Sequence, residues 1–313
     1  MSYTWQVHLF IMTGLFVVGT VVGSFLNVCI YRMPLEKSVV WPDSRCPKCL
    51  GRIGAWENIP ILSWLFLGAS CRSCNLPISA RYPLIEAFVG ILFAIVYLTD
   101  AQFGFPAGTP NATVYLAVAY HCVFAAILVA ITFIDYDWTI VPATLTNVGL
   151  VFGLLLPLID PAIRQVPAQA TTPSGALAVG LIGAIVAAAI VWIVRVLGGL
   201  LFRREAMGAG DIHILAVVGT FMGWQAALLT FFLASFYGLI PSLVKLIPYL
   251  VKRLTGREWN PSDREIPLGP FLCAAAFSLL LVWHRVWPRW IGPNFEMLGW
   301  FVRYSLGLAN GES

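Results

Sequence analysis

The acidic residues near apolar segments are the first candidates for chemistry. Of the fifteen Asp and Glu residues in the sequence, Glu86, Asp135, Asp137 and Asp211 adjoin or enter apolar stretches. A carboxylate is costly to bury in an apolar environment, so each of these four needs a reason to be there. The sequence therefore predicts an acidic site among apolar segments.

Asp135 and Asp211 are the best candidates for a catalytic pair. Asp135 ends one apolar stretch in Phe-Ile-Asp-Tyr-Asp, and Asp211 begins another after Met-Gly-Ala-Gly. If the two residues lie at the same depth in the membrane, they can form an aspartyl dyad. In such a dyad an ionised carboxylate activates water, and a protonated carboxyl donates its proton to the scissile carbonyl oxygen. Gly208 and Gly210 permit a close backbone approach or positive φ angles just before Asp211.

Each of these acids also has a structural interpretation. Asp137 is explained equally well as an interfacial residue, and Asp211 as the N-cap of the helix that it begins. Glu86 is explained as an ion-pair partner of Arg81 or Arg32. From the residues alone, an acidic site in a peptidase and one in a transporter both stay open.

Four cysteines form the second group of candidates. Cys46, Cys49, Cys71 and Cys74 make two Cys-x-x-Cys pairs separated by 21 residues. Four thiolates with this pairing are typical of tetrahedral zinc, although the spacer is slightly longer than usual. A redox role is disfavoured because no thioredoxin-like pattern surrounds the pairs. The single cysteines, Cys29, Cys122 and Cys273, lie in apolar runs and are interpreted as small packing residues.

The composition indicates that these residues sit in a membrane protein. Of the 313 residues, 59% are hydrophobic and only 11% are charged, whereas soluble domains carry roughly 25% charged residues. The mean hydropathy is +0.83. This composition excludes a disordered protein and a disulfide scaffold. With 19 basic and 15 acidic residues, nucleic acid is not an expected partner, whereas membrane lipid is.

We predict an all-α polytopic membrane protein with about eight transmembrane helices. Five uncharged runs are long enough to span a bilayer, and three more are weaker candidates. The first five are 9–30, 113–134, 138–159, 176–194 and 225–244, and the weaker three are 84–99, 212–224 and 266–283. The chain is predicted to be one membrane domain, 1–313, with a small zinc-binding module, 33–82, inserted between the first and second spans.

The basic residues predict the orientation. The loop between the first two spans carries seven Lys and Arg residues, and the other loops on that side carry eight more. The loops opposite carry only Arg164. By the positive-inside rule the basic side is cytoplasmic. This places the four-cysteine module, Asp135 and Asp211 at the cytoplasmic side.

Beyond these patterns, eight short motifs follow one another along nearly the whole chain. They are Gly-Ser-Phe-Leu-Asn-Val at 23–28, Cys-Pro-Lys-Cys at 46–49, Trp-Glu-Asn-Ile-Pro at 56–60, Cys-Arg-Ser-Cys at 71–74, Arg-Tyr-Pro-Leu-Ile-Glu at 81–86, Ile-Asp-Tyr-Asp at 134–137, Gly-Ala-Gly-Asp at 208–211 and Pro-Leu-Gly-Pro-Phe at 267–271.

In this order the motifs resemble the type IV prepilin peptidases, a family of GxGD membrane aspartyl proteases. The resemblance implies a function and a site. It makes Asp135 and Asp211 the catalytic pair, with Asp137, Glu86 and the two motif glycines in support. Family members remove the short basic leader of prepilins and pseudopilins at the cytoplasmic face of the bacterial inner membrane. Bifunctional members then methylate the new N-terminus with S-adenosylmethionine. A leader that precedes a hydrophobic helix is cut where membrane meets cytosol, and nearby acids favour a cationic leader.

Two positions depart from the family pattern. His213 stands where members usually have Lys, and Ala143 where they usually have Asp. His213 either tunes the acidic pair or is a satisfied polar residue in a packed helix; we favour the second, because a neutral imidazole lacks the constant charge of lysine.

Three rival functions remain open. A presenilin-like intramembrane protease shares the GxGD motif but lacks a tetra-cysteine loop. A transporter would need polar groups along several spans, and a zinc-dependent hydrolase would need an open metal position. No methyl-donor motif is recognisable, so only the intact cysteines favour methyl transfer. No oligomeric state is predicted.

Overall fold

The structure is a computed structural model that describes residues 5–106, 108–164, 170–203, 207–254 and 267–305. These residues form α-helices and short 3₁₀ or π turns, with no β-strand among them. The α-helices in chain order are α1 (Trp5–Arg32), α2 (Leu62–Phe66), α3 (Arg81–Thr99), α4 (Asn111–Trp138), α5 (Ala143–Leu155), α6 (Pro173–Phe202), α7 (Ala209–Met222), α8 (Trp224–Leu254), α9 (Gly269–Val286) and α10 (Gly292–Ser305).

Six helical segments are long and apolar enough to cross a membrane. They are Trp5–Leu35, Arg81–Gly104, Asn111–Trp138, Pro173–Leu201, Trp224–Val244 and Gly269–Leu298. Two shorter apolar helices, Ala143–Leu158 and Ala209–Met222, complete the set in the described part of the chain. The prediction of an all-α, multi-pass membrane protein is confirmed. All eight predicted runs contain an apolar helix, but only six of the helices have full spanning length.

The fourth predicted span is shorter than the sequence suggested. The run 138–159 was predicted as one continuous span, but Trp138 is the last residue of α4. Thr139 closes that helix in the left-handed conformation, with φ 53°, and Pro142 precedes α5 in an extended conformation. Proline disfavours helix in the residue before it, so the chain turns between residues 139 and 142. The short 212–224 run is confirmed as the short helix α7.

Small residues set the closest helix contacts. A Cβ atom on Gly23 of α1 would come within 2.7 Å of the Glu86 Cα atom of α3, and one on Gly19 would meet Gly90 at the same distance. Small residues four apart let two membrane helices approach at backbone distance. The ends of α1 and α3 are therefore held together at the point where the cysteine loop, 33–82, leaves and re-enters the bundle. We call this end of the molecule the cysteine-loop end.

The helix α4 lies at the centre of the bundle. Its side chains are buried against α1, α3, α5 and α9. It also meets α7 through stacked aromatic rings: the centroids of Phe124 and Phe221 are 4.6 Å apart, and those of Tyr120 and Phe221 are 4.5 Å apart. The two helices run in opposite directions, because α4 ends and α7 begins at the cysteine-loop end.

Candidate active site

Asp135 and Asp211 lie at the same depth in the bundle. Asp135 is in the last turn of α4, eleven residues beyond Phe124, and Asp211 is in the first turn of α7, ten residues before Phe221. At about 1.5 Å per helical residue, both acids are about 15 to 16 Å from the stacked phenylalanine rings. The antiparallel helices therefore bring the two predicted acids to one level at the cysteine-loop end.

The two carboxylates are buried and close enough for the charge of one to act on the other. Each side chain belongs to a residue that is only 7% exposed. Within the described residues, neither carboxylate forms an ion pair with Lys, Arg or His. Two buried acids without a neutralising cation repel each other when both are ionised, so a shared proton is the natural state of such a pair.

Asp211 is fixed by the start of its own helix. The N-cap residue is Gly208, and its N–H donates to Asp211 Oδ2 at 3.2 Å. Asp211 occupies the third helical position, so the interpretation of Asp211 as the N-cap residue is wrong, although its side chain does accept the N-cap amide. One carboxylate oxygen is thereby held and the other is left for chemistry.

The two motif glycines permit close packing and do not adopt positive φ angles. Gly208 has φ −68°, and neither glycine is among the residues with positive φ. A Cβ atom on Gly210 would lie 2.6 Å from Val141 Cγ2, in the link between α4 and α5. Gly210 therefore lets the end of α4 pack directly onto the start of α7. This contact brings the helix end that carries Asp135 beside Asp211.

The start of a third helix contacts the pair, and sequence reasoning missed it. Gly269 is the first residue of α9, and it packs directly against the Asp135 carboxylate. A Cβ atom at this position would collide with Asp135 Oδ2 and lie 3.0 Å from its Cγ. The motif at 267–271 is part of the family resemblance, but the sequence alone assigns none of its residues to the site. The available signal was a glycine at the first turn of an apolar helix, between Leu268 and Pro270.

Asp137 has a defined ion-pair partner. Arg81 Nη1 donates to Asp137 Oδ1 at 3.1 Å, and Arg81 Nη2 bonds to Asp137 Oδ2. The Arg81 guanidinium also lies 5.3 Å from the centre of the Phe133 ring. This bidentate pair ties the end of α4 to the start of α3. Asp137 therefore has a structural contact that Asp135, two residues earlier, does not have.

Glu86 does not pair with Arg81 or Arg32, so the ion-pair interpretation is wrong. Arg81 is bound to Asp137, and Arg32 donates to the backbone carbonyls of Ser38 and Asp43. The Glu86 carboxylate instead accepts the Ile61 backbone N–H at 2.7 Å. Glu86 therefore fastens the cysteine loop to α3.

The four predicted metal ligands come together in the cysteine loop. The Sγ atoms of Cys46, Cys49, Cys71 and Cys74 all lie within 4.8 Å of one another. The Sγ atoms of Cys49 and Cys71 are 4.0 Å apart. Four thiolates about 2.3 Å from a tetrahedral ion would be about 3.8 Å from one another. The donor set and its spacing fit a closed tetrahedral metal site.

Each Cys-x-x-Cys pair is built by the same backbone turn. Leu50 N–H donates to Cys46 O at 2.9 Å, and the equivalent Asn75 N–H donates to Cys71 O at 2.8 Å. Leu50 and Asn75 both have positive φ angles, 59° and 54°. Backbone hydrogen bonding at Cys74 and Ser73 lowers the pKa of the Cys71 thiol to about 7, whereas burial and the neighbouring thiols raise the pKa of Cys74 to about 11. A thiolate, the form that binds metal, is thus favoured at Cys71.

Comparisons with known proteins give one consistent result. Residues 17–99 match the bacterial peptidase A24 N-terminal domain, and residues 122–243 match the type IV leader peptidase family. The chain is 40% identical over 325 residues to a protein of Myxococcus xanthus (strain DK1622), covering 86% of this chain and 89% of that protein. It is 32% identical to one of Aeromonas hydrophila, covering 90% and 93%, and 30% identical to one of Neisseria gonorrhoeae, covering 87% and 90%. All three are named prepilin leader peptidase/N-methyltransferase.

The chain belongs to the type IV leader peptidase family. The match to the N-terminal domain contains the four cysteines and Glu86, and the match to the leader peptidase family contains Asp135 and Asp211. Gly269 lies beyond both matched segments, so its place beside Asp135 is known from the structure. The comparison with solved structures finds no match.

The two departures from the family pattern lie outside the carboxylate pair. His213 is exposed, and its Nδ1 atom lies 3.2 Å from the Ala209 carbonyl oxygen. It follows Asp211 by two residues and therefore projects from a different face of α7. Ala143 is the exposed first residue of α5. His213 is hydrogen-bonded, as favoured from the sequence, but it lies on an exposed face and not in a packed one.

Proposed function

We propose that this chain is a membrane aspartyl peptidase that removes the short basic leader of prepilins and pseudopilins. The observation that carries the proposal is the pair of buried carboxylates, Asp135 and Asp211, at one end of the bundle. The family membership and the names of the relatives support the substrate. The distribution of basic residues supports a site at the cytoplasmic face of the bacterial inner membrane.

The carboxylate pair can hydrolyse a peptide bond without further groups. The ionised carboxylate takes a proton from water, and the water oxygen bonds to the scissile carbonyl carbon. The protonated carboxyl donates its proton to the carbonyl oxygen. The tetrahedral intermediate then breaks its C–N bond, and the leaving amine takes the proton that came from water. One hydroxyl group of the intermediate returns a proton to the carboxylate that had donated one, which forms the product carboxyl group and restores the pair. The Gly208 N–H holds one oxygen of Asp211, and Gly269 packs against Asp135.

The position of the pair suits a substrate with a polar leader and an apolar helix. Asp135 is four residues from the end of α4, and Asp211 is three residues into α7. A pilin helix parallel to these helices would present its first residues at that level. The bond between leader and helix is then the bond that reaches the acids, which distinguishes this function from cleavage inside a transmembrane helix.

Cleavage by purified enzyme in nanodiscs tests the proposal. Candidate prepilins are incubated with wild-type protein and with Asp135→Asn and Asp211→Asn, and the products are weighed as intact masses. Each substitution should lower the rate by about 10²-fold or more, because the two acids act together and the loss of either one disables the pair. Asp137→Asn is the matched control and should stay within about threefold of wild type, since a partly exposed ion pair contributes little.

Two results would overturn this assignment. One is an Asp135→Asn or Asp211→Asn variant that keeps more than about a tenth of the wild-type rate. The other is a cut inside the hydrophobic helix, which would favour a presenilin-like protease. If no native prepilin were cut, the result would favour the transporter alternative.

The four cysteines fit a structural zinc ion. Cys46, Cys49, Cys71 and Cys74 would supply all four ligands, and an ion so enclosed would stabilise the loop by cross-linking its two turns. The loop has few buried apolar residues of its own, so such a cross-link is its main source of stability. A closed site of this kind offers no open position for catalysis by the metal.

We further propose N-methylation of the mature pilin with S-adenosylmethionine. The relatives' names include this activity. The chain also has the complete four-cysteine cluster, which resembles that of the bifunctional members. Methyl transfer needs a bound donor and a positioned amine but neither aspartate. A pre-cleaved pilin should therefore gain one methyl group with wild type and with both Asp→Asn variants. No gain with wild type would make the chain a peptidase only.

A further inference from the structure

The short helix α2 in the cysteine loop presents an apolar face without a protein partner. Leu62, Leu65 and Phe66 are all exposed, and Phe66 is 84% exposed. Their spacing places them on one face of the helix. Trp64 lies on the opposite face, and its Nε1–H donates to the Ile78 carbonyl oxygen at 3.1 Å, next to the second cysteine turn. The apolar face therefore points away from the cysteine loop.

The residue before α2 is held at the ends of the membrane helices. The Ile61 backbone N–H is bound by Glu86, whose backbone lies one helical turn, or about 6 Å, beyond Tyr82 on α3. A helical side chain leans toward the N-terminus of its helix, so the Glu86 carboxylate reaches back toward the start of α3. Since Leu62 follows Ile61 directly, α2 begins at the boundary of the bundle.

Aromatic residues mark this boundary independently. Tyr31 at the end of α1, Tyr82 at the start of α3, and Tyr136 and Trp138 at the end of α4 are all exposed. Aromatic residues are enriched where a membrane meets water, so this ring indicates the interface at the cysteine-loop end. Trp56 lies in the turn before α2 and is 85% exposed. It adds a fifth aromatic side chain at the same end.

The backbone around Ile61 is strained and is stabilised from the membrane side. Ile61 has φ 62° and ψ −53°, and Leu62 N–H donates to Pro60 O at 2.5 Å, which together form a γ-turn. This turn is rare and strained, especially for a β-branched residue. Glu86 accepts the Ile61 amide within this turn. The contact with Glu86 therefore stabilises the conformation from which α2 begins.

The side chains of this face, and not the net charge of the loop, decide between its possible occupants. Three basic residues of the loop pair with acids, and four thiolates around a zinc ion would carry two negative charges, so the loop as a whole is close to neutral. The residues of α2 include no acid that could bind a basic leader. An exposed apolar face beside the aromatic boundary fits the acyl chains of a lipid leaflet.

We propose that α2 and the Trp56 turn form a membrane anchor, in which Leu62, Leu65 and Phe66 insert into the leaflet on the cysteine-loop side. The partner is the lipid surface, with acyl chains beneath the apolar face. The anchor fixes the cysteine loop against the bundle at the level of Asp135 and Asp211. It does not depend on the peptidase assignment.

Photo-cross-linking of the full-length protein tests the anchor. The photoreactive residue p-benzoylphenylalanine replaces Phe66 in nanodiscs that contain phosphatidylglycerol, and lipid adducts are weighed as intact masses. The same probe at Leu84, an exposed residue of α3, is the positive control, and at Lys48 in the first cysteine turn it is the reference. Adducts at position 66 should approach those at 84 and exceed those at 48 by about fivefold or more. Equal yields at 66 and 48, or adducts at 66 with pilin or with a second copy of the chain, would overturn the proposal.

A pair of substitutions separates insertion from proximity. With the probe at Leu65, Phe66→Asp places a charge in the inserted face, whereas Phe66→Leu keeps that face apolar. Phe66→Asp should lower the lipid adduct several-fold and Phe66→Leu should not, with the metal content of both variants equal to wild type. Equal adduct yields from the two variants would show that the face does not enter the leaflet.

Discussion

The cysteine loop and the carboxylate pair lie at the same end of the molecule but are built in opposite ways. The loop uses one local turn twice: Cys46 and Cys71 begin equivalent turns 25 residues apart, each closed by backbone hydrogen bonds within six residues. The carboxylate pair uses three helix ends that are far apart in the chain, at Asp135, Asp211 and Gly269. A local site can be inferred from spacing, whereas an assembled site depends on how helices pack.

The two regions also differ in what supports them. The carboxylates are surrounded by apolar helices; Asp211 accepts the Gly208 amide, and Asp135 packs against Gly269. The cysteine turns have few buried apolar contacts and converge on a four-cysteine cluster that fits a metal ion. Glu86 is the described side chain that joins the loop directly to α3 beside Ile61. Changes in one region should therefore reach the other through this contact and through the Arg81–Asp137 ion pair at the end of α4.

The largest effect is expected at Gly269. In Gly269→Ala the new methyl group would occupy the position of Asp135 Oδ2, so the carboxylate must rotate out of the site. We expect leader cleavage to fall by about 10²-fold, the usual worth of a positioned acid or base. The unfolding temperature should change little, because a flexible side chain can move aside. Cleavage measured by intact mass and thermal unfolding in detergent give the two readouts.

A matched glycine provides the control for this prediction. A Cβ atom on Gly238, in α8, would have Phe271 Cδ2 as its nearest neighbour at 3.6 Å, an ordinary contact. Gly238→Ala should therefore leave cleavage close to wild type. If the Gly269→Ala variant also cleaved prepilin at the wild-type rate, the close approach of Gly269 to Asp135 would have no part in catalysis.

Removal of the metal should damage the loop more than the carboxylate pair. Purified wild-type protein should contain about one zinc ion per chain, and a Cys46→Ser, Cys71→Ser double variant should contain none. Its loop should become susceptible to protease, while cleavage of prepilin should fall less than in Gly269→Ala. Elemental analysis and limited proteolysis measure the first two outcomes. Wild-type protein without metal and with reactive thiols would contradict the assignment.

The connection between the two regions is expected to have an intermediate effect. Glu86→Ala leaves the buried Ile61 amide without its acceptor, which costs about 1–3 kcal/mol. Glu86→Gln keeps an acceptor oxygen and is the matched control. Hydrogen exchange of residues 56–66 should accelerate in Glu86→Ala and remain near wild type in Glu86→Gln. Equal exchange in both variants would mean that other contacts hold the loop.

Sequence reasoning located the acids and the metal ligands, and the limits of that reasoning are physical. Asp135 and Asp211 were placed at one depth by counting spans, and the structure brings them there. Glu86 was assigned an arginine partner because ion pairs are the commonest explanation for a buried acid. Its real partner, the Ile61 amide, depends on a γ-turn that no residue pattern specifies. Gly269 was missed because its role arises only when α9 packs against α4.

The smallest effect is expected at His213. Two acids that share a proton should give a bell-shaped pH profile for cleavage, whose limbs belong to the pair and not to either residue alone. His213 is exposed, bonded to the Ala209 carbonyl and on a different face of α7 from Asp211. His213→Lys should therefore leave both limbs in place and change the rate by less than about twofold, since exposed charges interact weakly with a buried site. The measurement is the initial cleavage rate from pH 4 to 9 in matched nanodiscs. A limb that moves in His213→Lys would identify the imidazole as part of the catalytic titration and would give the family's usual lysine a direct electrostatic role at the carboxylate pair.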